Sequence, residues 1–217
     1  MSHYLLSSWY CGVSEELNEC FLKTGHDDHV HGLGDVLTVL HELGSEPPSV
    51  WKYPCAEHDE GIVDLLTSSS PSSSSTLLYS TQAQGQAIGY IEDGRHFQIG
   101  LSEPAQVLHV PGHTTDSVAV RIPSDKFLLT ADTVLGHGTA VFEDLKSYLS
   151  SLEKLEQAAD GCDTILPGHG EVVKEPKTKL REYITHRLER EQQVLEQLEV
   201  LSAKQGGGDG QFPTAIE

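Results

Sequence analysis

Gly25-His26-Asp27-Asp28-His29-Val30-His31-Gly32 is the stretch on which the reading of this chain turns. Between its bracketing glycines, six residues supply three imidazoles and two carboxylates. These are side chains that hold borderline divalent ions such as zinc. The spacing His26-x-Asp28-His29 departs from the three- or four-residue repeat that would put every ligand on one helical face. It therefore reads as a loop whose side chains converge on a metal from several directions. Taken alone, the same residues read equally well as a solvated polar turn.

Three later stretches bear on that choice. Pro111-Gly112-His113-Thr114, Thr130-Ala131-Asp132-Thr133 and Pro167-Gly168-His169-Gly170 each follow a short apolar run with strand character: 107–110, 127–129 and 164–166. Each presents one His or Asp framed by Gly, Pro or Thr, and a Gly beside a ligand lets the backbone turn sharply and approach an ion closely. Any one of them is also an ordinary turn. Together with the opening loop they supply His26, Asp28, His29, His113, Asp132 and His169. Six ligand-type residues in four loops are what a two-metal site with a shared carboxylate requires.

The rest of the chain reads as α/β. Residues 1–23 contain a small apolar cluster (Leu5, Leu6, Trp9, Tyr10, Cys11) and no strand-like alternation; Ser14 before Glu15-Glu16 suggests a short capped helix. Val36, Leu37, Val39, Leu40 and Leu43 give an amphipathic helix, with Asp35 as cap and Gly44 as stop. Pro47-Pro48 breaks the chain before a strand at 50–53. The run 67–76 is almost pure Ser, a flexible loop. Ile88, Tyr90 and Ile91, then Asp93-Gly94, then Phe97 and Ile99 read as a hairpin, and 118–122 as a further strand. Phe142, Leu145, Leu149, Leu152 and Leu155 stripe one helix, and Leu180, Ile184, Leu188, Leu195 and Leu198 a long charged one over 177–203. A flexible Gly-rich tail closes the chain from 205 to 217.

Bulk properties narrow the function. At 217 residues the chain holds one domain of ordinary core size. No apolar run approaches the roughly 20 residues of a membrane-spanning helix, and the N-terminus has no secretory pattern. Four scattered cysteines (Cys11, Cys20, Cys55, Cys162) form no C-x-x-C pair and read as reduced thiols, which places the protein inside the cell. With 14 basic and 33 acidic residues the net charge is −19, a field that repels phosphate backbones and disfavours nucleic acid as a partner.

Residues 24–29 resemble the H-x-H-x-D-H signature of the metallo-β-lactamase superfamily, and 110–114, 130–132 and 166–170 follow in that superfamily's order. The resemblance extends from about residue 24 to residue 200. Residues 133–145, and 183–187 through Glu191-Gln192, narrow it to lactamase-like hydrolases similar to an animal mitochondrial endoribonuclease and to fungal thioesterases that release polyketides from acyl carrier proteins. The implied fold is an αβ/βα sandwich. The resemblance assigns one metal to Asp28, His29 and His169 and the other to His26 and His113, with Asp132 bridging. Two zinc ions are implied, with Asp28 orienting or accepting the proton of the attacking water and a metal-bound hydroxide as nucleophile.

Two departures qualify the expectation. Thr24 stands where the signature has its first His, so weaker metal occupancy is expected on the His26–His113 side. His31 is expected to be solvated, His137 to line a pocket wall, and His186 to pack or hydrogen-bond on its helix. Only 23 residues precede Thr24, so much of the first sheet is expected to be missing, with 24–204 a partial domain and the chain a truncated form. The function expected is hydrolysis of an acyl thioester, small or carried by an acyl carrier protein, without a membrane partner and in the cytoplasm in preference to mitochondria. The alternatives are a catalytically impaired fragment that binds metal or a partner, and an endoribonuclease. Nothing in the sequence signals an oligomeric state.

Overall fold

In a computed structural model of the chain, residues 4–6, 9–14, 17–44, 48–68, 88–98 and 103–205 are described. Two five-stranded sheets lie face to face with helices on both outer sides. The first sheet has the order β1 (Tyr4–Leu6), β2 (Trp9–Ser14), β3 (Leu17–Leu22), β4 (Ser49–Lys52), β5 (Ile88–Tyr90). The second runs β10 (Thr164–Pro167), β9 (Phe127–Ala131), β8 (Val118–Ile122), β7 (Ala105–His109), β6 (His96–Phe97). The helices are α1 (Asp27–Val30), α2 (Leu33–Glu42), α3 (Ala56–Ser68), α4 (Leu145–Ala158) and α5 (Pro176–Gln205).

The layering follows from alternation along the strands. In β3, Phe21 points between the sheets and stacks on Phe97 with ring centroids 4.3 Å apart. Its neighbours Cys20 and Leu22 point outward to Leu33, Leu37, Leu40, Ile62 and Leu66 of α2 and α3. In β8, Val118, Val120 and Ile122 face the first sheet, while Ala119 faces outward to the layer of Tyr148, Leu152, Leu155 and Leu180 from α4 and α5. Strands covered on both faces need apolar residues throughout, which is why 118–122 reads as a nearly unbroken apolar run.

Several expectations are corrected. Residues 1–23, in which no strand was expected, contain three. β1, β2 and β3 form an antiparallel meander and β3 pairs in parallel with β4, so the sheet expected to be largely missing has five strands. The short helix expected after Ser14 is not found over 17–22, which pair along their length with 9–14 as strand β3; 15–16 lie outside the described residues. Ile88–Tyr90 and Phe97 do not form a hairpin: β5 pairs with β4, β6 with β7, and Asp93-Gly94 lies where the chain passes from one sheet to the other. Gly32, not Asp35, is the N-cap of α2. Helix α3 was not anticipated, because Ile62 and Leu66 are its only buried apolar positions among acidic residues and a glycine. Thr67 and Ser68 end α3, Gln205 ends α5, and Pro47, 69–76, Ile99 and 206–217 lie outside the described residues.

Strand direction brings the polar loops together. β7 and β9 both run antiparallel to β8, and β10 runs parallel to β9. The loops after β7, β9 and β10 therefore leave the same edge of the second sheet. The turn after β3 reaches the same edge, where the Val118 N–H donates to the Lys23 carbonyl at 2.9 Å.

A buried ammonium also ties the halves together. Lys52 is fully buried at the end of β4 and donates to the Tyr53 carbonyl (2.7 Å) and to Asp59 of α3 (2.6 Å), and lies 3.1 Å from Asp116 in the loop before β8. Burial works to raise the Asp116 pKa, but Lys52 and the hydrogen bonds from Thr114 and His58 hold it below the usual 3.8. Removing one partner of such a buried group leaves charge uncompensated, at a cost of about 3–5 kcal/mol. Lys52→Met is expected to lose stability of that order in urea unfolding at neutral pH. The Asp116 contribution is fully present above pH 3.8 and is lost as pH falls through the lower folded value. The acid limb of a stability–pH profile is expected to be shallower in Lys52→Met than in wild type.

Candidate metal centre

Local geometry at the edge sets each ligand-type side chain. The opening stretch is not a loop throughout: 27–30 form the single turn α1, with His26 extended at its N-cap (φ −63°, ψ 145°). His26 therefore points away before the helix begins, while Asp28 and His29 leave the turn itself. At the end of β9, Ala131 is held at φ +46°, a left-handed conformation uncommon for a residue with a Cβ, and the next residue is Asp132. The Gly168 N–H donates to the Ala131 carbonyl at 2.8 Å, so the turns carrying Asp132 and His169 brace each other.

The six residues form two groups that share Asp132. Asp28, His29, Asp132 and His169 have ligand atoms within 4.8 Å of one another, as do His26, His113 and Asp132. In the first group His169 Nε2 is 2.9 Å from Asp28 Oδ2 and 3.4 Å from Asp132 Oδ2. His29 Nε2 is 3.2 Å from Asp132 Oδ2 and 3.8 Å from Asp28 Oδ2. In the second, His113 Nε2 lies 3.2 Å from His26 Nδ1 and 3.8 Å from Asp132 Oδ2. Two nitrogens bound to one tetrahedral ion at ~2.05 Å stand about 3.3 Å apart, so these spacings match donors arranged around a cation.

Unsatisfied buried atoms carry the same message. Both ring nitrogens of His29 and Oδ1 of Asp132 are buried without a hydrogen-bond partner among the described residues. Buried polar atoms are ordinarily paired, and a cation between them would satisfy them. His113 is oriented from behind: its Nδ1 lies 2.8 Å from the Val141 carbonyl, which leaves Nε2 facing His26. Such a support fixes the tautomer of a ligand histidine. Burial pushes the Asp132 pKa up, but His29, His169 and His113 more than offset it and hold the carboxyl below its usual value. The cluster is buried at His29 and open at Asp28 and His169, whose side chains are 57% and 48% exposed.

The other histidines singled out from the sequence lie apart. His31 is exposed and pairs with Asp27 at 3.5 Å, away from the cluster. His137 and His186 are exposed, and His186 lies near Gly138 and Thr139 in a shallow groove rather than packed into a core. Thr24 is buried, with its hydroxyl 3.2 Å from that of Thr114. The sequence reading missed Lys23, whose buried ammonium is lowered to about 8 by burial and drawn back up by Asp132. It also missed a third group, Cys55, His58 and Asp116. No motif spacing announces these residues, which come from the turn after β3, the β4–α3 connection, the first turn of α3 and the loop before β8.

Comparison with known proteins bears on the family and the fold. The profile of the metallo-beta-lactamase superfamily matches residues 25–169. A beta-lactamase-like protein 2 homolog of Caenorhabditis elegans is 35% identical over 89% of this chain and 56% of its own length. An atrochrysone carboxyl ACP thioesterase of Aspergillus chevalieri is 34% identical over 70% of this chain and 47% of its own. Among solved structures, a metallo-beta-lactamase family protein of Thermus thermophilus superposes with a TM-score of 0.55 at 18% identity, covering 82% of this chain and 63% of that one. The chain spans between 30% and 56% of the length of the curated relatives it matches. No helix among the described residues is long and apolar enough to cross a membrane. The fold, the sequence match and the clustered His and Asp residues agree, and the chain belongs to the metallo-β-lactamase superfamily.

Proposed function

We propose that this protein is a zinc-dependent hydrolase that cleaves an acyl thioester, with an acyl-carrier-protein-bound chain as the substrate class. The observation that carries the proposal is the Asp28–His29–Asp132–His169 cluster, with its orphaned buried nitrogens and with His26 and His113 on the far side of the same carboxylate. A similar protein is named as an acyl-carrier-protein thioesterase, which supports the substrate class. The net charge of −19 weighs against a long polyanion such as RNA. Cys55 and Cys162 are free thiols, in keeping with a reducing compartment such as the cytoplasm.

Each residue has a definable task. Asp28, His29 and His169 would hold one ion and His26 and His113 the other, with Asp132 available to both; divalent ions there would supply Lewis acidity, lowering the pKa of water and polarising a carbonyl. Asp28 is the most exposed carboxylate of the cluster, so its free oxygen orients an attacking water and accepts its proton. His169 Nε2, 2.9 Å from Asp28 Oδ2, is placed to share an ion with that oxygen. Buried His29 and Asp132 form the floor of the site and keep bulk water from below it.

Three outcomes are expected. Zinc-loaded protein hydrolyses acyl thioesters, chelation abolishes the turnover, and added zinc restores it; RNA cleavage without thioester turnover overturns the substrate assignment. Asp28→Asn lowers kcat by at least about 100-fold, the scale of a lost general base. Gly168→Ala places a Cβ 2.2 Å from Asp132 Oδ1. It is expected to displace that carboxylate and lower bound zinc, read by elemental analysis of the folded protein.

A further inference from the structure

The Val141 carbonyl that accepts from His113 Nδ1 is not held by its own side chain, because Val141 is 78% exposed. It lies in the loop that joins Asp132, at the end of β9, to the start of α4. On the α4 side of Val141, the Glu143 N–H donates to the Gly112 carbonyl at 2.7 Å, which ties the loop to the residue before His113. On the other side stands Ala140, and its carbonyl accepts from the Arg187 guanidinium of α5.

Arg187 also reaches past Val141. Its guanidinium carbon is 4.8 Å from the centroid of the Phe142 ring and 5.5 Å from that of Tyr148, and these two rings stack on each other. A guanidinium over an aromatic face is attracted by the ring quadrupole, and its planar fork can stack and donate at once. One side chain therefore grips residue 140 by a hydrogen bond and residue 142 by its ring, with the carbonyl of residue 141 between them. One helical turn earlier, Tyr183 secures the start of the same loop: its hydroxyl accepts from the Leu135 N–H at 3.1 Å and donates to the Gly138 carbonyl at 3.0 Å. Arg187 itself belongs to neither ligand group.

We propose that Arg187 is a positioning residue for the His26–His113 metal site. By holding residues 140 and 142 it keeps the Val141 carbonyl on His113 Nδ1. The proton then stays on Nδ1, and Nε2 is left bare and turned toward His26 and Asp132. Asp28, His29 and His169 have no such link to residues 140–142, so the effect falls on one side of the cluster. This rests on the metal-dependent reading above.

Cobalt(II) titration of the whole chain, followed by absorbance and elemental analysis, tests this together with the His113 tautomer read by nitrogen-15 NMR of the metal-free protein. Wild type is expected to bind two equivalents and to carry the His113 proton on Nδ1. Arg187→Met, which keeps an apolar stem over the rings and removes the donors, is expected to weaken by ~10–100-fold the same equivalent that His113→Ala abolishes. The other equivalent is expected to stay near its wild-type affinity, and the His113 proton to spread over both nitrogens. Arg187→Gln, too short to reach both Ala140 and the Phe142 ring, is expected to behave likewise if Arg187→Met does not fold. Wild-type affinity for both equivalents with an unchanged tautomer overturns this inference and leaves the hydrolase reading intact. Equal weakening of both equivalents also overturns it, since that marks a general loosening of the fold. Absence of any cobalt binding by wild type overturns the hydrolase reading and this one with it.

Discussion

The structure depends on the Lys52 ammonium and the company it keeps. A fully buried cation in a protein interior is costly unless each of its donors finds an acceptor. Here its acceptors come from three separate pieces of chain: Tyr53 after β4, Asp59 on α3 and Asp116 before β8. Asp116 passes the constraint on to Thr114 and His58, and Thr114 passes it to Thr24. A single buried charge therefore sets where α3 sits over the first sheet, and where the loop carrying His113 meets the turn carrying His26. The apolar layers define the sandwich, and this polar junction fixes how its two halves meet at the edge that matters chemically.

The clustering of the candidate ligands was more legible in the sequence than the layout of the strands was. His and Asp beside Gly and Pro at the ends of apolar runs are a local signal, and strand direction then makes the loops neighbours without any long-range information in the sequence itself. The first sheet was obscure for the opposite reason. β1 to β3 are made by backbone pairing between short segments, so what makes Leu17–Leu22 a strand lies in its partners 9–14 and 49–52, not in its own pattern. The break between β5 and β6 was misread for a related reason: Asp93-Gly94 is a sound turn, but a turn does not say whether the strands it joins belong to one sheet. Buried polar partners such as Lys23 and Asp116 carry no periodicity at all. They become visible only when the fold encloses them.

The two halves of the cluster differ in how they are built. Asp28, His29 and His169 rely on α1 and on a braced pair of strand-end turns, so their positions follow from backbone geometry. His26 precedes the α1 turn and has the His58 ring beside it, and His113 is held through its Nδ1 by the backbone carbonyl of Val141.

Ala131 carries a consequence of a different kind. A left-handed φ of +46° on a residue with a Cβ stores strain on the order of 1–3 kcal/mol, held in place by the hydrogen bond from Gly168. Glycine would relieve that strain and widen the range of backbone angles open to the neighbouring carboxylate. Stabilisation and precision are therefore opposed at this one position. Selection for thermal robustness alone would pull residue 131 toward glycine, and selection for an accurately aimed Asp132 would keep it alanine.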